Sequence, residues 1–399
     1  MSPAIAARVR AVRGFTVIEL LVGMVLLLLV MTAAFDLLQA AQTAFVTQPD
    51  ATDLQQRLRV VADAMARDLV SAGAGRTRGA ARGPLIDILA PILPYRAGLR
   101  DPDAPGSFCT DRLTITYVPP AAPQTTTRDP IAAPTATIRV NGDPGCAVGD
   151  EACGFTSGMA VLVADAGGRF NMFTVASVSG AFLALQLRDP ALATTFPPGA
   201  HIVEIAVHSY LLKTGSSPEI AQVAHYDGYR SEQPLSDDIV DLQAEYFGDP
   251  QPPLLSRPVS DPQGPRTTYG PAPPALDTDD PRDTWPAGEN CVFAAQAGMH
   301  VARLPALGDA GSGLVPLAAQ ALTDGPWCPD SQSPNRFDAD LLRVRRVRVS
   351  FRAQAVSRSL RGASASLFVH PGTSPGGGLM VPDARIVVDV TPRNMNARR

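Results

Sequence analysis

The sequence predicts an α+β fold: a long N-terminal helix, membrane-spanning at first and amphipathic later, packed on a mostly antiparallel β-sheet head with large loop insertions. Three observations predict it. An uncharged apolar run follows directly on a short basic segment, and a leucine-rich stripe at helical spacing comes after it. From Arg112 onward the convincing segments alternate like strands. Composition agrees, because 38 prolines and 33 glycines in 399 residues favour strands, turns and long loops over a helical bundle. Hydrophobic residues at 45% exclude wholesale disorder. A formal charge of −4 gives no overall basic field for nucleic acid.

Residues 1–14 carry Arg8, Arg10 and Arg13 and no acid. Such a segment stays cytoplasmic by the positive-inside tendency, which leaves everything after the apolar run outside. From Leu20 to Phe35 there is no charge, and with Phe15 to Ile18 the run approaches the ~20 residues that cross ~30 Å of hydrocarbon. No small-residue cleavage site follows it, as a secretory signal would require. An ordinary signal anchor or a buried core helix would show the same pattern, except for Glu19. An acid within the membrane costs roughly 2.5–3.5 kcal/mol and calls for a partner. Cleavage after Gly14 supplies one: Phe15 then bears an α-amino group one helical turn from Glu19, near the positive end of the helix dipole. In a bundle of identical helices the carboxylate serves a neighbour's amine equally well and fixes the stagger.

"GFTVIELLVGMVLLLLV" resembles the class III signal of type IV prepilins and type II secretion pseudopilins. The resemblance implies a pilin-like fold with a leader, 1–14, removed by prepilin peptidase. Gly14 precedes the cut, Phe15 is N-methylated and Glu19 guides subunit docking. Residues 15–36 then form the transmembrane half of the helix, 37–75 its amphipathic half, and 76–399 a periplasmic or extracellular head. Losing the three leader arginines takes the formal charge from −4 to −7.

In the second half of the helix, Leu54, Leu58, Val61, Met65 and Leu69 recur at i, i+3/i+4 spacing and predict a core face. Arg57, Arg59, Asp63, Arg67 and Asp68 fall mainly elsewhere on the wheel. Thr52 or Asp53 is expected to cap this half, Gly73 or Gly75 to end it, and Pro49 to kink the helix without ending it. Expected strands are Arg112–Val118, Met159–Asp165, Phe170–Val178, Ala181–Leu187 after a "VSG" turn, His201–Lys213 as one long strand, Leu341–Gln354 and Arg385–Val390. "DDIVDLQAEYF" is expected to begin as a helical turn at Ser236 and then extend. Pro119–Pro134 reads as a loop or bulge, and Asp249–Pro286 as a proline-rich insertion.

The order of "LQQRLRVVADAMARDLVSAG", "DRLTITY", "DDIVDLQAEYF", "LRVRRVRVSFRAQ" and "VVDVTPRNMNARR" resembles that of PilW-like minor pilins, larger relatives of the GspJ secretion pseudopilin. The resemblance implies a non-catalytic subunit that takes part in pilus assembly, in the priming or tip complex. Alternatives are a GspJ-like type II secretion pseudopilin, or an adhesin or ligand-binding module on a pilin stem. Implied partners are prepilin peptidase, other minor pilins, the major pilin, the inner-membrane assembly platform, a pilus-tip adhesin and the lipid bilayer. The implied location is the inner membrane, single-pass, with later incorporation into a pilus.

Chemistry is sparse. His201, His208, His225, His300 and His370 show no metal-binding spacing, and no nucleophile elbow or phosphate loop occurs, so neither an enzyme nor a cofactor is expected. "DTDDPRD" (Asp277–Asp283) reads as a solvated acidic loop rather than a Ca²⁺ site. Arg343, Arg345, Arg346, Arg348 and Arg352 read as the solvated side of a strand, and nucleic acid is not an expected partner. If the head is exported, the five cysteines make disulfides plausible: Cys146 with Cys153, and Cys291 with Cys328, leaving Cys109 over.

Overall fold

The computed structural model describes residues 16–75, 85–97, 111–132, 134–142, 146–165, 170–188, 195–214, 221–252, 293–296, 299–309, 311–328, 336–356 and 383–395. The chain divides into two compact units, Met1–Asp53 and Leu54–Arg399. A single helix, α1, runs from Val17 to Ser71 with Pro49 inside it. Thr52 lies within the helix rather than at a cap, and its hydroxyl donates to the Gln48 carbonyl at 2.9 Å. The segment Val17–Gln39 is 23 residues of exposed apolar surface. At 1.5 Å per residue it reaches about 35 Å, enough for a bilayer core.

In the second unit the predicted stripe is the inner face of the helix: Leu54, Leu58, Val61, Met65 and Leu69 are all buried in the main core. Gly73 ends α1 in the left-handed region, at φ +75°, where an added Cβ would sit 3.2 Å from Met395. The Asn394 amide reaches the Ser71 and Ala72 carbonyls at 3.5 and 3.4 Å, so the last described turn of the chain covers the open end of the helix.

Among the described residues, the head contains three larger antiparallel sheets. The helix-facing sheet has the order Ile92–Leu93, Leu113–Tyr117, Ala206–Thr214, Ala221–Tyr226, Glu232–Asp237. A second sheet orders Val315–Leu317, Ile239–Gly248, Val344–Ala353 and Ala384–Val390. They meet at Asp238, which has φ +57°, and Arg57 of the helix ties that corner by donating to the Asp238 carboxylate at 3.1 Å. Ser236 is therefore part of a strand and not the helical turn expected there.

The third sheet was not expected as a separate body. Its order is Gln124–Thr126, His201–Glu204, Ala160–Ala164, Phe170–Ser179, Phe182–Leu187, Thr135–Arg139. A bridge between Thr127 and Val140 joins the two edge strands and closes the sheet on itself. Closure removes both edges, and a second core with Val161, Val163, Phe173, Val175 and Phe196 fills the interior. Alternate residues of the same wall, Leu162 and Ala164, belong to the main core. Being covered on both faces is why Ala160–Ala164 reads as a continuous apolar run. Two expectations change accordingly. Pro119–Pro134 holds an edge strand rather than only a loop, and His201–Lys213 is two strands in different sheets, broken at Ile205.

Leu341–Gln354 also divides. Ala339–Arg343 forms a 3₁₀ turn capped by Asp338, which accepts from the Asp340 N–H at 2.8 Å, and the strand starts at Val344. Its arginines divide between buried and solvent-facing positions, with the Arg348 side chain 41% exposed. Arg343 is fully buried and donates to the Pro250 and Pro305 carbonyls, and Arg345 pairs with Asp249 at 2.7 Å. Arg346, Arg348 and Arg352 face Asp389, Glu245, Asp241 and Asp383. Asp249 and Pro250 thus belong to the framework, and the proline-rich insertion begins after them; its residues 253–286, Asp277–Asp283 included, lie outside the described residues.

Candidate functional site

The N-terminal site is built on the first turn of α1. Gly14 and Phe15 lie outside the described residues. Glu19 is exposed on the helix, and its carboxylate accepts from the Thr16 N–H and the Thr16 hydroxyl, each at 2.9 Å. The Glu19 N–H donates to the Thr16 hydroxyl oxygen at 3.3 Å in return. This reciprocal pair is a capping box, which satisfies two of the otherwise orphaned N–H groups of the helix start. Thr16 was not singled out from the sequence, although T-x-x-E before an apolar run is its signal. The carboxylate therefore sits where the helix dipole favours a negative charge, at the threshold of the apolar span.

Of the cysteines, Cys146 and Cys153 form a disulfide with their Cα atoms 4.8 Å apart. Cys328 is also disulfide-bonded, and Cys109 and Cys291 lie outside the described residues.

A second cluster was not legible in the sequence. Strand register puts Tyr117, His208, Tyr210 and His225 on one face of the helix-facing sheet, with Ile115 opposite His208 and Tyr210 opposite His225. Asp68, at the edge of the buried stripe of α1, reaches all but one of them. Its carboxylate accepts from Tyr210 at 2.5 Å and from Tyr117 at 3.0 Å, and lies 2.6 Å from His208 Nδ1. The His208 and His225 rings meet edge to face with centroids 4.5 Å apart. Burial alone would raise the Asp68 carboxyl, but the hydrogen bonds from His208, Tyr210 and Tyr117 hold it below the ordinary carboxylate range. Burial, and then the neighbouring His208, push the His225 imidazole down. Both tyrosines are raised, first by burial and then by the Asp68 charge. The side chains line an open cleft of about 330 Å³.

Among known families, the model described as the prokaryotic N-terminal methylation motif matches residues 9–35. That match and the apolar helix behind it support a type IV pilin-like protein and a pilin- or pseudopilin-like role in pilus or secretion assembly. Comparison with curated proteins and with solved structures returned no match.

Proposed function

We propose that the chain is a minor pilin of the PilW-like group that primes pilus assembly or sits in the tip complex, acting by subunit packing and not by catalysis. The observation that carries the reading is the methylation motif at residues 9–35, with Glu19 at the mouth of the apolar helix. The landmarks that resemble the group add support, since they converge on one place. The α1 stripe, Leu113–Tyr117, Ile239–Gly248, Val344–Ala353 and the terminal Val390 and Met395 all contribute to the core beneath the helix. In this reading prepilin peptidase cuts after Gly14 and methylates Phe15, the helix waits in the inner membrane with its head in the periplasm, and Glu19 then docks on a neighbour's N-terminus.

Gly14→Ala is expected to leave the unprocessed precursor in the membrane, read as intact mass. Glu19→Ala is expected to be processed normally yet poorly incorporated into filaments, and wild-type incorporation would remove the docking role. Crosslinking the processed protein in its native cells separates the pilus from the secretion assignment. Recovery of pilins and a tip adhesin supports the proposal, whereas recovery of secretion-channel components overturns it in favour of a GspJ-like pseudopilin.

A further inference from the structure

The geometry points to a binding site for a divalent transition metal, Zn²⁺ by donor chemistry, at Asp68, His208 and His225. These three side chains each offer a ligand atom, and the three atoms lie within 4.8 Å of one another. Tetrahedral zinc with bonds of about 2.0–2.1 Å sets its donors roughly 3.4 Å apart, so small side-chain rotations close the site. Two imidazole nitrogens with one carboxylate suit zinc and its late first-row neighbours, and exclude Ca²⁺ and Mg²⁺, which seek cages of oxygen.

Three features distinguish the cluster from an ordinary polar contact. The carboxylate already has its outer partners: Tyr117 and Tyr210 donate to it and hold its orientation, as the outer shell of a metal site does. The two rings come from adjacent strands, Ala206–Thr214 and Ala221–Tyr226, whose pairing holds both backbones; His208 touches the carboxylate, and His225 brings a ring nitrogen within 4.8 Å of it. The site also opens on the cleft, leaving room for a fourth, exchangeable ligand such as water. Since Asp68 belongs to α1 and both histidines to the sheet, the ion would staple the end of the helix to the head and stabilise the folded state by mass action.

The test uses the full-length processed protein in detergent, so it does not depend on filament assembly. Titrated with Zn²⁺ against a chromophoric chelator, it should bind one equivalent that excess Ca²⁺ or Mg²⁺ does not displace, and its Tm should rise. The Co²⁺ form should show visible d–d bands without the thiolate charge-transfer band that a cysteine site would give. His208→Gln with His225→Gln should abolish binding, and Tyr210→Phe should weaken it by about 10–100-fold with unchanged far-UV circular dichroism. No binding by the wild type at micromolar Zn²⁺, retention of the zinc by the double variant, or a thiolate band would each overturn the site. Should the variants misfold, X-ray absorption of the zinc-loaded wild type decides: two imidazoles support the site, and any other first shell overturns it.

Discussion

Asp338 holds the cap of the Ala339–Arg343 turn, accepting from the N–H groups of Asp340 and Gly325. Burial pushes its carboxyl up to about 6, the backbone hydrogen bonds opposing this only in part. The sign follows from linkage. A carboxyl whose folded pKa lies above its unfolded value of about 3.9 contributes fully below pH 4, and that contribution fades as pH rises through 6, by an amount on the order of 3 kcal/mol. Asparagine keeps an acceptor oxygen at the cap without the charge. Asp338→Asn is therefore expected to gain stability relative to wild type at pH 7 and to lose that advantage at pH 4, read as urea midpoints of the full chain in detergent. A difference that stays constant with pH would show that Asp338 does not titrate in this way. Glu19 is governed by the same kind of local contact. Its capping partner Thr16 was missed, although the T-x-x-E signal lies within one helical turn.

At the scale of elements, what reads out of the sequence is periodicity. Leu54, Leu58, Val61, Met65 and Leu69 were expected on one buried face and are all found there. Leu58→Ala should cost about 2–5 kcal/mol in a denaturant titration of the full chain, whereas Val60→Ala, on the exposed side, should stay within about 0.5 kcal/mol. The illegible parts are those decided by partners distant in the chain. Nothing local in "HIVEIAVHSYLLK" says that His201–Glu204 and Ala206–Thr214 enter different sheets, since the alternation runs unbroken through Ile205. Asp68 was placed off the apolar stripe of the helix and given no role, because its tyrosine and histidine partners lie 49 to 142 residues away. Arg343 misled for the same reason. Its carbonyl partners, Pro250 and Pro305, flank the proline-rich stretch, and a strand of alternating arginines gives no sign of them.

For the whole molecule, the closed six-stranded sheet raises the question of whether the head is one folding unit or a framework carrying a detachable module. Topology suggests the second answer. Tyr117 and Ala206 are direct partners across neighbouring antiparallel strands, so a tight turn could join them and omit residues 118–205 without breaking the helix-facing sheet. Packing gives the opposite answer. Leu162, Ala164, Phe170, Val203 and Ile205 on the outer wall of that sheet belong to the core that holds the α1 stripe. Removing the wall would expose this apolar surface to water at roughly 25 cal/mol per Å². Because a domain is stable by only about 5–15 kcal/mol, that exposure decides the outcome. Replacing residues 118–205 by a two-residue Asn-Gly turn should therefore yield a chain that aggregates in detergent or melts well below wild type, judged by size-exclusion chromatography and circular dichroism. Phe173→Ala, which empties space only in the inner core, should instead remain monodisperse while losing about 3–5 kcal/mol. A monodisperse excision variant with wild-type Tm would show that the closed sheet is an appendage and that the core beneath the helix closes without it.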